Sequence, residues 1–310
     1  MTGLDAGVPT PALLVVDDEQ RCRVAPASKG MPRNVEDIVL RGRRNDRAVH
    51  ATHALVHDRS VSHPSRPGWS VWCAESDSYV DLTVSVVIPT YNEALNLPAV
   101  LLQIPRAFTE IVIVDGHSTD STVDIARELC PDVVTVDQPG RGKGDALSAG
   151  FRAASGDIIV MMDADGSMTP REIPAFVDAL VNGADLAKGS RNMVGGGSAD
   201  ITPIRAFGNK ALGWLFNGIH GTAHTDLCYG YMAFWRAHLE AIMPDCDGFE
   251  VETLLNVRAA QKGLRVVEVP SHEGRRVYGD SNLHPVRDGI RVLRTLGRES
   301  VRSFVLRPGA

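Results

Sequence analysis

The sequence lacks any long uninterrupted apolar run. No stretch approaches the roughly 18 residues of a membrane-spanning helix, so we expect no transmembrane helix. The N-terminus also lacks the charged start and apolar core of a secretory signal peptide. The five cysteines are odd in number and widely separated, which is typical of reduced thiols rather than of a disulfide framework. These absences predict a cytoplasmic protein.

The chain also lacks an excess of positive charge. Its formal net charge of −6 argues against general binding of nucleic acids. Hydrophobic residues make up 44% of the 310 residues, which is ordinary for a globular protein. This length can hold one large α/β domain or two small domains.

Residues 1–80 are polar and have little regular apolar pattern. Only Ala12–Val16 has the composition of a strand, and residues 35–40 suit a helical turn. Such a segment buries too little apolar surface to offset its chain entropy, so we predict an extension that is largely disordered or loosely packed. Its histidines have irregular spacing and favour a solvated tail over a metal site: His50, His53, His57 and His63.

From residue 81 onward, apolar runs alternate with amphipathic segments. We predict strands at residues 84–89, 110–115, 133–136, 157–162 and 185–189, and helices at residues 94–103, 120–129, 144–154 and 170–182. This alternation predicts an α/β fold with a mostly parallel central sheet covered on both faces, in a domain of residues 81–285.

Acidic residues follow several of these predicted strands. Asp163 and Asp165 end the apolar run at 157–162. Residues two apart in a strand point to the same side, so these carboxylates form a hard-oxygen site that suits Mg²⁺ or Mn²⁺ bridging phosphates. Glu93 and Asp115 follow two other predicted strands, although Glu93 also suits the N-terminus of a helix. Ligands of such sheets bind at these strand ends.

Four segments, at residues 84–93, 111–120, 142–144 and 163–165, together resemble glycosyltransferase family 2. The resemblance covers residues 83–285 and implies the GT-A fold, a three-layer sandwich around a mostly parallel sheet. It also implies roles for individual residues. The base and ribose of a nucleotide-sugar donor would be held by Pro89, Tyr91, Glu93 and Asp115, and the metal and diphosphate by Asp163 and Asp165.

The glycine-rich segment at 140–144 carries Lys143. Its glycine spacing does not match a dinucleotide-binding fingerprint. The family resemblance implies that Lys143 lies near the phosphates or sugar of the donor, and a solvated loop lysine is the alternative. The sequence departs from the family at Gly116, where a second acid is usual, at His117, where glycine is common, and at Ser167, where an amide ligand is frequent.

The second half of the domain resembles the polyprenyl-phosphate sugar synthases, typified by dolichyl-phosphate mannose synthase. The matching residues include Arg191, Arg205, Asp226 and the segment 275–283. The resemblance implies a lipid-phosphate acceptor held by Arg191 and Arg205. An ionised phosphate needs positioning and charge neutralisation rather than a strong base. A sugar hydroxyl would need a general base, for which Asp226 is the best candidate, although Asp226 can also orient the site or cap a turn.

Two segments suit a membrane surface. Residues 203–221 carry apolar side chains at helical spacing, and residues 286–310 form a predicted basic amphipathic helix. From residue 275 to the end, eight arginines against three acids give a net charge of +5, which favours an anionic bilayer. The alternative is that both helices pack on the domain and expose a solvated basic face.

We therefore expect an inverting, metal-dependent glycosyltransferase that moves a hexose from a nucleotide-sugar of the GDP-mannose or UDP-glucose type to a polyprenyl phosphate. It would work at the inner, cytoplasmic face of the membrane as a peripheral protein. The alternatives are a soluble acceptor or a non-catalytic nucleotide-sugar-binding subunit. A nucleotidyltransferase would favour a glycine-rich loop after the first strand, where this chain has Pro-Thr-Tyr-Asn-Glu.

Overall fold

The computed structural model describes residues 12–16, 22–26, 55–57, 69–73, 78–106, 109–279 and 283–305. The chain divides into two compact units, Met1–Leu82 and Thr83–Ala310.

The described residues of the first unit form antiparallel strands. Strand β1 (Ala12–Val16) pairs with β2 (Cys22–Pro26), and a second sheet contains β3 (Leu55–His57), β4 (Trp69–Cys73) and β5 (Ser78–Leu82). The sequence predicted only the first of these strands. The helical turn predicted at residues 35–40 and the histidines at 50, 53 and 63 lie outside the described residues.

The second unit contains the predicted α/β domain. Its strands are β6 (Val84–Thr90), β7 (Thr109–Asp115), β8 (Val134–Asp137), β9 (Ile158–Met161), β10 (Leu186–Ser190), β11 (Gly197–Ser198), β12 (Met232–Trp235), β13 (Val266–Pro270) and β14 (His272–Glu273). Its helices are α1 (Leu97–Leu101), α2 (Thr122–Leu129), α3 (Lys143–Ala153), α4 (Ile173–Val181), α5 (Pro203–His220), α6 (Leu239–Ile242), α7 (Val251–Lys262) and α8 (Pro285–Val305).

Seven strands form the central sheet in the order β13-β10-β12-β9-β6-β7-β8. Strand β12 runs antiparallel to both of its neighbours, and the other pairs are parallel. Strands β6 and β9 are almost completely buried because helices cover both faces of the sheet, which explains their nearly continuous apolar sequences. The α/β fold with a mostly parallel sheet is therefore confirmed.

All the predicted strands and helices of this domain are present, with their ends shifted by a few residues. The largest difference is at the helix predicted for residues 94–103, which is shortened to α1. A turn precedes it, because the backbone carbonyl of Glu93 accepts hydrogen bonds from the N–H groups of Asn96 and Leu97. The helix predicted at 170–182 begins as a 3-10 turn, Pro170–Glu172, and continues as α4.

Helices α5, α7 and α8 share a small apolar cluster beside the sheet. It contains Phe216, Leu227, Val257, Val292 and Leu296. One side of α8 is thus packed on the domain, as the alternative interpretation of this helix required. Among the residues that the structure describes, no helix is long and apolar enough to cross a membrane.

Candidate active site

The carboxyl ends of β6, β7, β9 and β10 open into a cavity of about 740 Å³. Most of the residues predicted for the site line this cavity: Pro89, Tyr91, Glu93, Lys143, Asp163, Asp165, Arg191 and Arg205. The structure therefore brings together side chains that are more than 100 residues apart in the sequence. Asp115 and Asp226 are not in the cavity wall.

Asp115 lies at the end of β7 and is buried. Its Oδ2 accepts a hydrogen bond from the N–H of Ser118 at 3.0 Å. Its Oδ1 is buried and has no hydrogen-bond partner in the described part of the chain. A buried carboxylate oxygen without a partner is costly, so this atom is suited to accept a hydrogen bond from a ligand.

The structure gives a reason for glycine at position 116, but none for histidine at position 117, the two departures from the family pattern that follow Asp115. A Cβ at Gly116 would lie 2.9 Å from Oε1 of Gln138 and 3.1 Å from the carbonyl oxygen of Thr90, so a larger residue has little room. His117 has a φ of +65°, a left-handed conformation in which glycine is favoured. His117 also lines the cavity, and such backbone conformations are frequent at functional sites.

Lys143 lies between two carboxylates. Its Nζ is 2.6 Å from Oδ1 of Asp163 and 2.7 Å from Oε1 of Glu252. Burial opposes the charge of Lys143, but these two carboxylates outweigh it and raise the pKa of the lysine above its usual value. Burial raises the pKa of Glu252, and Lys143 only partly opposes this. The solvated-loop interpretation of Lys143 is therefore wrong, and Glu252 is a site residue that the sequence analysis missed.

Arg276 lies between two other carboxylates. Its Nη1 is 2.9 Å from Oε1 of Glu93, and its Nη2 is 3.2 Å from Oδ2 of Asp165. The segment around it is fixed, because the N–H of Val277 donates to the carbonyl of Asp165 at 3.0 Å. Gly166, with a φ of +78°, permits this approach, since a Cβ there would lie 2.6 Å from Val277. The sequence analysis noted this segment but gave Arg276 no role of its own.

Arg191 also bridges two carboxylates. Its Nε and Nη2 donate to Asp226 at 2.7 and 2.9 Å, and its Nη1 donates to Glu273 at 3.0 Å. Asn209 donates to Oδ1 of Asp226 at 2.7 Å. Burial opposes ionisation of Asp226, but the hydrogen bonds and charge of Arg191 outweigh it and lower the pKa of Asp226. Asp226 is therefore an ionised and completely buried partner of Arg191.

Arg205 is held less firmly than the other basic residues of the site. It lies in the first turn of α5, and its closest acidic partner is Asp200, at 3.4 Å from Nη1. Its side chain is 23% exposed. Of the two arginines predicted to hold an acceptor phosphate, Arg205 thus has more of its hydrogen-bonding capacity free.

The donor set at Asp163 and Asp165 suits a hard divalent cation. Both side chains reach the cavity, with 29% and 15% of their surface exposed. Within the described residues there is no group of three or more acidic, histidine or cysteine side chains arranged to hold a metal ion. Mg²⁺ usually takes one or two carboxylates and completes its coordination with substrate phosphates and water, so this pair fits such an ion.

Residues 85–242 match the sequence profile of Glycosyl transferase family 2. The chain belongs to this family. It is 37% identical over 213 residues to the polyprenol monophosphomannose synthase of Mycolicibacterium smegmatis, with 64% of this chain and 80% of the relative covered. It is 34% identical over 218 residues to the undecaprenyl-phosphate mannosyltransferase of Micrococcus luteus, with 65% and 88% covered.

The fold is also found in solved glycosyltransferase structures. The Mycobacterium tuberculosis glucosyl-3-phosphoglycerate synthase, solved with Mn²⁺, UDP and glucosyl-3-phosphoglycerate, has a TM-score of 0.58 to this chain at 24% identity. The match covers 71% of this chain and 80% of that enzyme. The family 2 enzyme described here is therefore a glycosyltransferase with a GT-A-like fold. The family and the relatives named as sugar transferases support an enzyme rather than a non-catalytic nucleotide-sugar-binding subunit.

Proposed function

We propose that this glycosyltransferase moves a hexose from a nucleotide-sugar to a polyprenyl phosphate, with inversion at the sugar carbon and with the help of Mg²⁺ or Mn²⁺. The observation that carries the proposal is the distribution of charge in the cavity. The carboxylates of Asp163 and Asp165 line it together with the loosely held guanidinium of Arg205. The two carboxylates suit a divalent cation that binds a diphosphate, and the guanidinium of Arg205 suits a separate phosphate.

On this proposal, Pro89 and Tyr91 form the nucleoside end of the site, and Asp115 lies next to it but outside the cavity wall. A divalent cation held by Asp163 and Asp165 supplies charge stabilisation to the departing nucleoside diphosphate. Arg205 holds the acceptor phosphate so that one phosphate oxygen faces the sugar carbon. Positioning and charge neutralisation then provide most of the rate acceleration.

The state of Asp226 favours an ionised acceptor. Its Oδ2 accepts a hydrogen bond from Arg191, and its Oδ1 accepts hydrogen bonds from Arg191 and Asn209. The residue is fully buried. A general base has to reach the proton that it abstracts, within about 2.6–3.2 Å or through one water. Asp226 is poorly placed for that role, whereas a phosphate acceptor does not require it. We assign Asp226 the positioning of Arg191.

A lipid acceptor is supported by an exposed apolar stripe on α5. Ile204, Phe207 and Trp214 are 75%, 76% and 79% exposed and recur at helical spacing on one side of the helix. Ile204, at one end of the stripe, precedes Arg205 in the sequence. Exposed large apolar groups in such a row are typical of membrane contacts. We therefore propose peripheral association with the cytoplasmic face of an anionic membrane.

Helix α8 also exposes apolar side chains, together with basic ones. Its buried side holds Val292 and Leu296, while Val286, Ile290, Leu293 and Val301 are at least 46% exposed. Four of its arginines have side chains between 45% and 61% exposed: Arg287, Arg291, Arg298 and Arg302. Basic residues beside exposed apolar groups favour contact with anionic lipids.

The decisive experiment is a donor and acceptor panel. GDP-mannose, UDP-glucose and UDP-N-acetylglucosamine are each combined with undecaprenyl phosphate, with decaprenyl phosphate and with 3-phosphoglycerate, and the products are identified by mass spectrometry. We expect a glycosylated polyprenyl phosphate from one donor and no product with 3-phosphoglycerate. Transfer only to the soluble acceptor would contradict the proposed lipid.

A soluble phosphorylated acceptor is the second candidate. Arg205 can hold the phosphate of a small molecule as well as that of a lipid. The structural neighbour from M. tuberculosis carries phosphoglycerate in its name and shares the fold. The exposed apolar stripe on α5 favours the lipid acceptor over the soluble one, because a soluble acceptor does not require contact with a membrane.

A further inference from the structure

Two basic side chains form ion pairs with the carboxylates proposed to bind the metal. Lys143 bridges Asp163 and Glu252. Arg276 bridges Glu93 and Asp165. Each of these two groups combines one positive and two negative charges, so each carries −1 and the two together carry −2. One divalent cation neutralises this charge.

We infer that Lys143 and Arg276 are exchangeable counter-ions, which leave the metal-binding carboxylates for the diphosphate of the donor when a divalent cation takes those carboxylates. This inference rests on the proposed donor and metal, and not on the identity of the acceptor. It assigns Arg276 and Glu252 roles in donor binding that neither residue had from the sequence.

The geometry favours an exchange. Oδ1 of Asp163 lies 2.6 Å from Nζ of Lys143, and Oδ2 of Asp165 lies 3.2 Å from Nη2 of Arg276. A cation coordinated at about 2.1 Å by these oxygens repels and displaces positive groups at such distances. Both displaced groups remain beside the metal position, which is where the phosphates of a metal-bound diphosphate lie. Glu252 stays paired with Lys143 and Glu93 stays paired with Arg276, which limits the movement of both basic side chains.

A coupling between metal and nucleotide follows from this exchange. A divalent cation alone breaks two ion pairs and leaves Lys143 and Arg276 with one carboxylate each. A nucleoside diphosphate restores the lost partner of both cations. The nucleotide therefore strengthens metal binding, and by thermodynamic reciprocity the metal strengthens nucleotide binding by the same factor.

The test measures Mn²⁺ binding to the full-length protein by titration calorimetry, with and without UDP or GDP. In the wild type we expect the nucleotide that binds, UDP or GDP, to tighten Mn²⁺ binding by at least about tenfold. This factor corresponds to the free energy of one charge-assisted hydrogen bond. Arg276→Gln should bind Mn²⁺ alone more tightly than the wild type and lose most of the tightening by nucleotide. Arg276→Lys should behave more like the wild type, because the positive charge is kept.

Arg127→Gln is the matched control, since Arg127 is exposed on α2 and hydrogen-bonded to Thr135. It removes the same charge and should leave both Mn²⁺ affinities unchanged. For Lys143, the double variant Lys143→Gln/Glu252→Gln removes the lysine without leaving an unpaired buried Glu252. This variant should also bind Mn²⁺ alone more tightly, as judged against Lys262→Gln on the surface of α7.

The outcomes separate the two proposals. If the wild type binds Mn²⁺ with nucleotide, but Arg276→Gln shows unchanged or weaker binding of Mn²⁺ alone, the counter-ion exchange is wrong while the proposed donor and metal stand. If the wild type binds neither Mn²⁺ nor any nucleoside diphosphate, the proposed function itself fails. Circular dichroism of every variant confirms that the affinities refer to folded protein.

Discussion

Arg191 and Asp226 form a two-point ion pair in which Arg191 lines the cavity and Asp226 is completely buried outside its wall. Nε and Nη2 of the arginine donate to the two carboxylate oxygens at 2.7 and 2.9 Å. The N–H of Arg191 also donates to Oδ2 of Asp226 at 3.1 Å. Tyr229 lies under the guanidinium, with its ring centre 4.7 Å from Cζ. This fixed geometry makes Arg191 a rigid part of the site.

Asp226→Asn should act first on stability. Removing one charge of a buried pair leaves the other without compensation, so the free energy of unfolding should fall by roughly 3 kcal/mol or more. Urea denaturation measures this loss, and Asp124→Asn on the exposed side of α2 is the control. A variant with unchanged stability and a loss of turnover of two orders of magnitude or more would instead indicate a catalytic base.

The same pair makes stability depend on acid pH. The pKa of Asp226 in the folded protein is lower than its usual value, so its contribution to stability is complete above that usual value. The contribution is lost as the pH falls through the lowered pKa of the folded state, since the unfolded chain takes up the proton first. The Asp226→Asn variant should therefore lose less stability than the wild type over this acid range in the same denaturation experiment.

Asp165→Asn should abolish transfer while leaving the fold intact. The substitution removes charge that would hold the proposed divalent cation, and the charge of the leaving diphosphate would then be less stabilised. We expect a loss of at least about 3 kcal/mol in transition-state stabilisation, or more than about a hundredfold in rate. Turnover assays with and without EDTA measure it. Full activity in EDTA, or a wild-type rate in the variant, would disprove the metal's role.

Arg205→Ala should weaken acceptor binding and slow turnover. A lost hydrogen bond from a charged donor to a phosphate costs about 1.5–3 kcal/mol. We expect a higher KM for the acceptor, a lower kcat and little change in the affinity for the donor. Arg205→Lys should recover part of the loss, because it keeps the charge but not the two-point geometry. A fall in donor affinity would place Arg205 on the donor instead.

His224 should make the domain less stable in mildly acidic solution. Burial, together with the charges of Lys188 and His220, lowers the pKa of His224 from 6.5 to about 4. Between these values the unfolded chain binds the proton and the folded protein does not, so stability falls as the pH is lowered through that window. His224→Phe should reduce the difference between urea midpoints at about pH 7.5 and about pH 5. His272→Gln, at an exposed site, should not.

Phe207→Ser/Trp214→Ser should weaken binding to vesicles. Full burial of one such side chain contributes about 1.5–3 kcal/mol, so the pair should have a large effect on sedimentation with phosphatidylglycerol vesicles. Turnover of a short, water-soluble prenyl phosphate should change little. Leu102→Ser is the control, because Leu102 is 69% exposed outside α5 and α8. A wild-type protein that stays in the supernatant at low salt would favour the soluble acceptor.

Point substitutions are preferable to deletion of the C-terminal helix. Val292 and Leu296 of α8 are buried against Phe216 of α5, so a truncation would expose the cluster that these helices share. The arginines of α8 are better tested by salt. Each contributes about 1 kcal/mol near an anionic surface, and screening at high salt should reduce vesicle binding without unfolding the domain.

The sequence by itself determined the α/β fold and the strand ends that carry the site. Local periodicity was sufficient, because a buried parallel strand such as β9 is a short apolar run and the chain places Asp163 and Asp165 directly after it. The family motifs identified the cavity residues for the same reason. They are local segments, whose order along the chain is itself a signal.

Only the tertiary structure decided which charges meet. Lys143 and Glu252 are separated by 109 positions, and Arg276 and Glu93 by 183, so no local pattern relates them. These pairs form because strand order and helix packing bring distant segments to the same edge of the sheet. Burial had the same origin: Asp226 could be a base or a structural anion from its sequence, and its completely enclosed contact with Arg191 favours the second role.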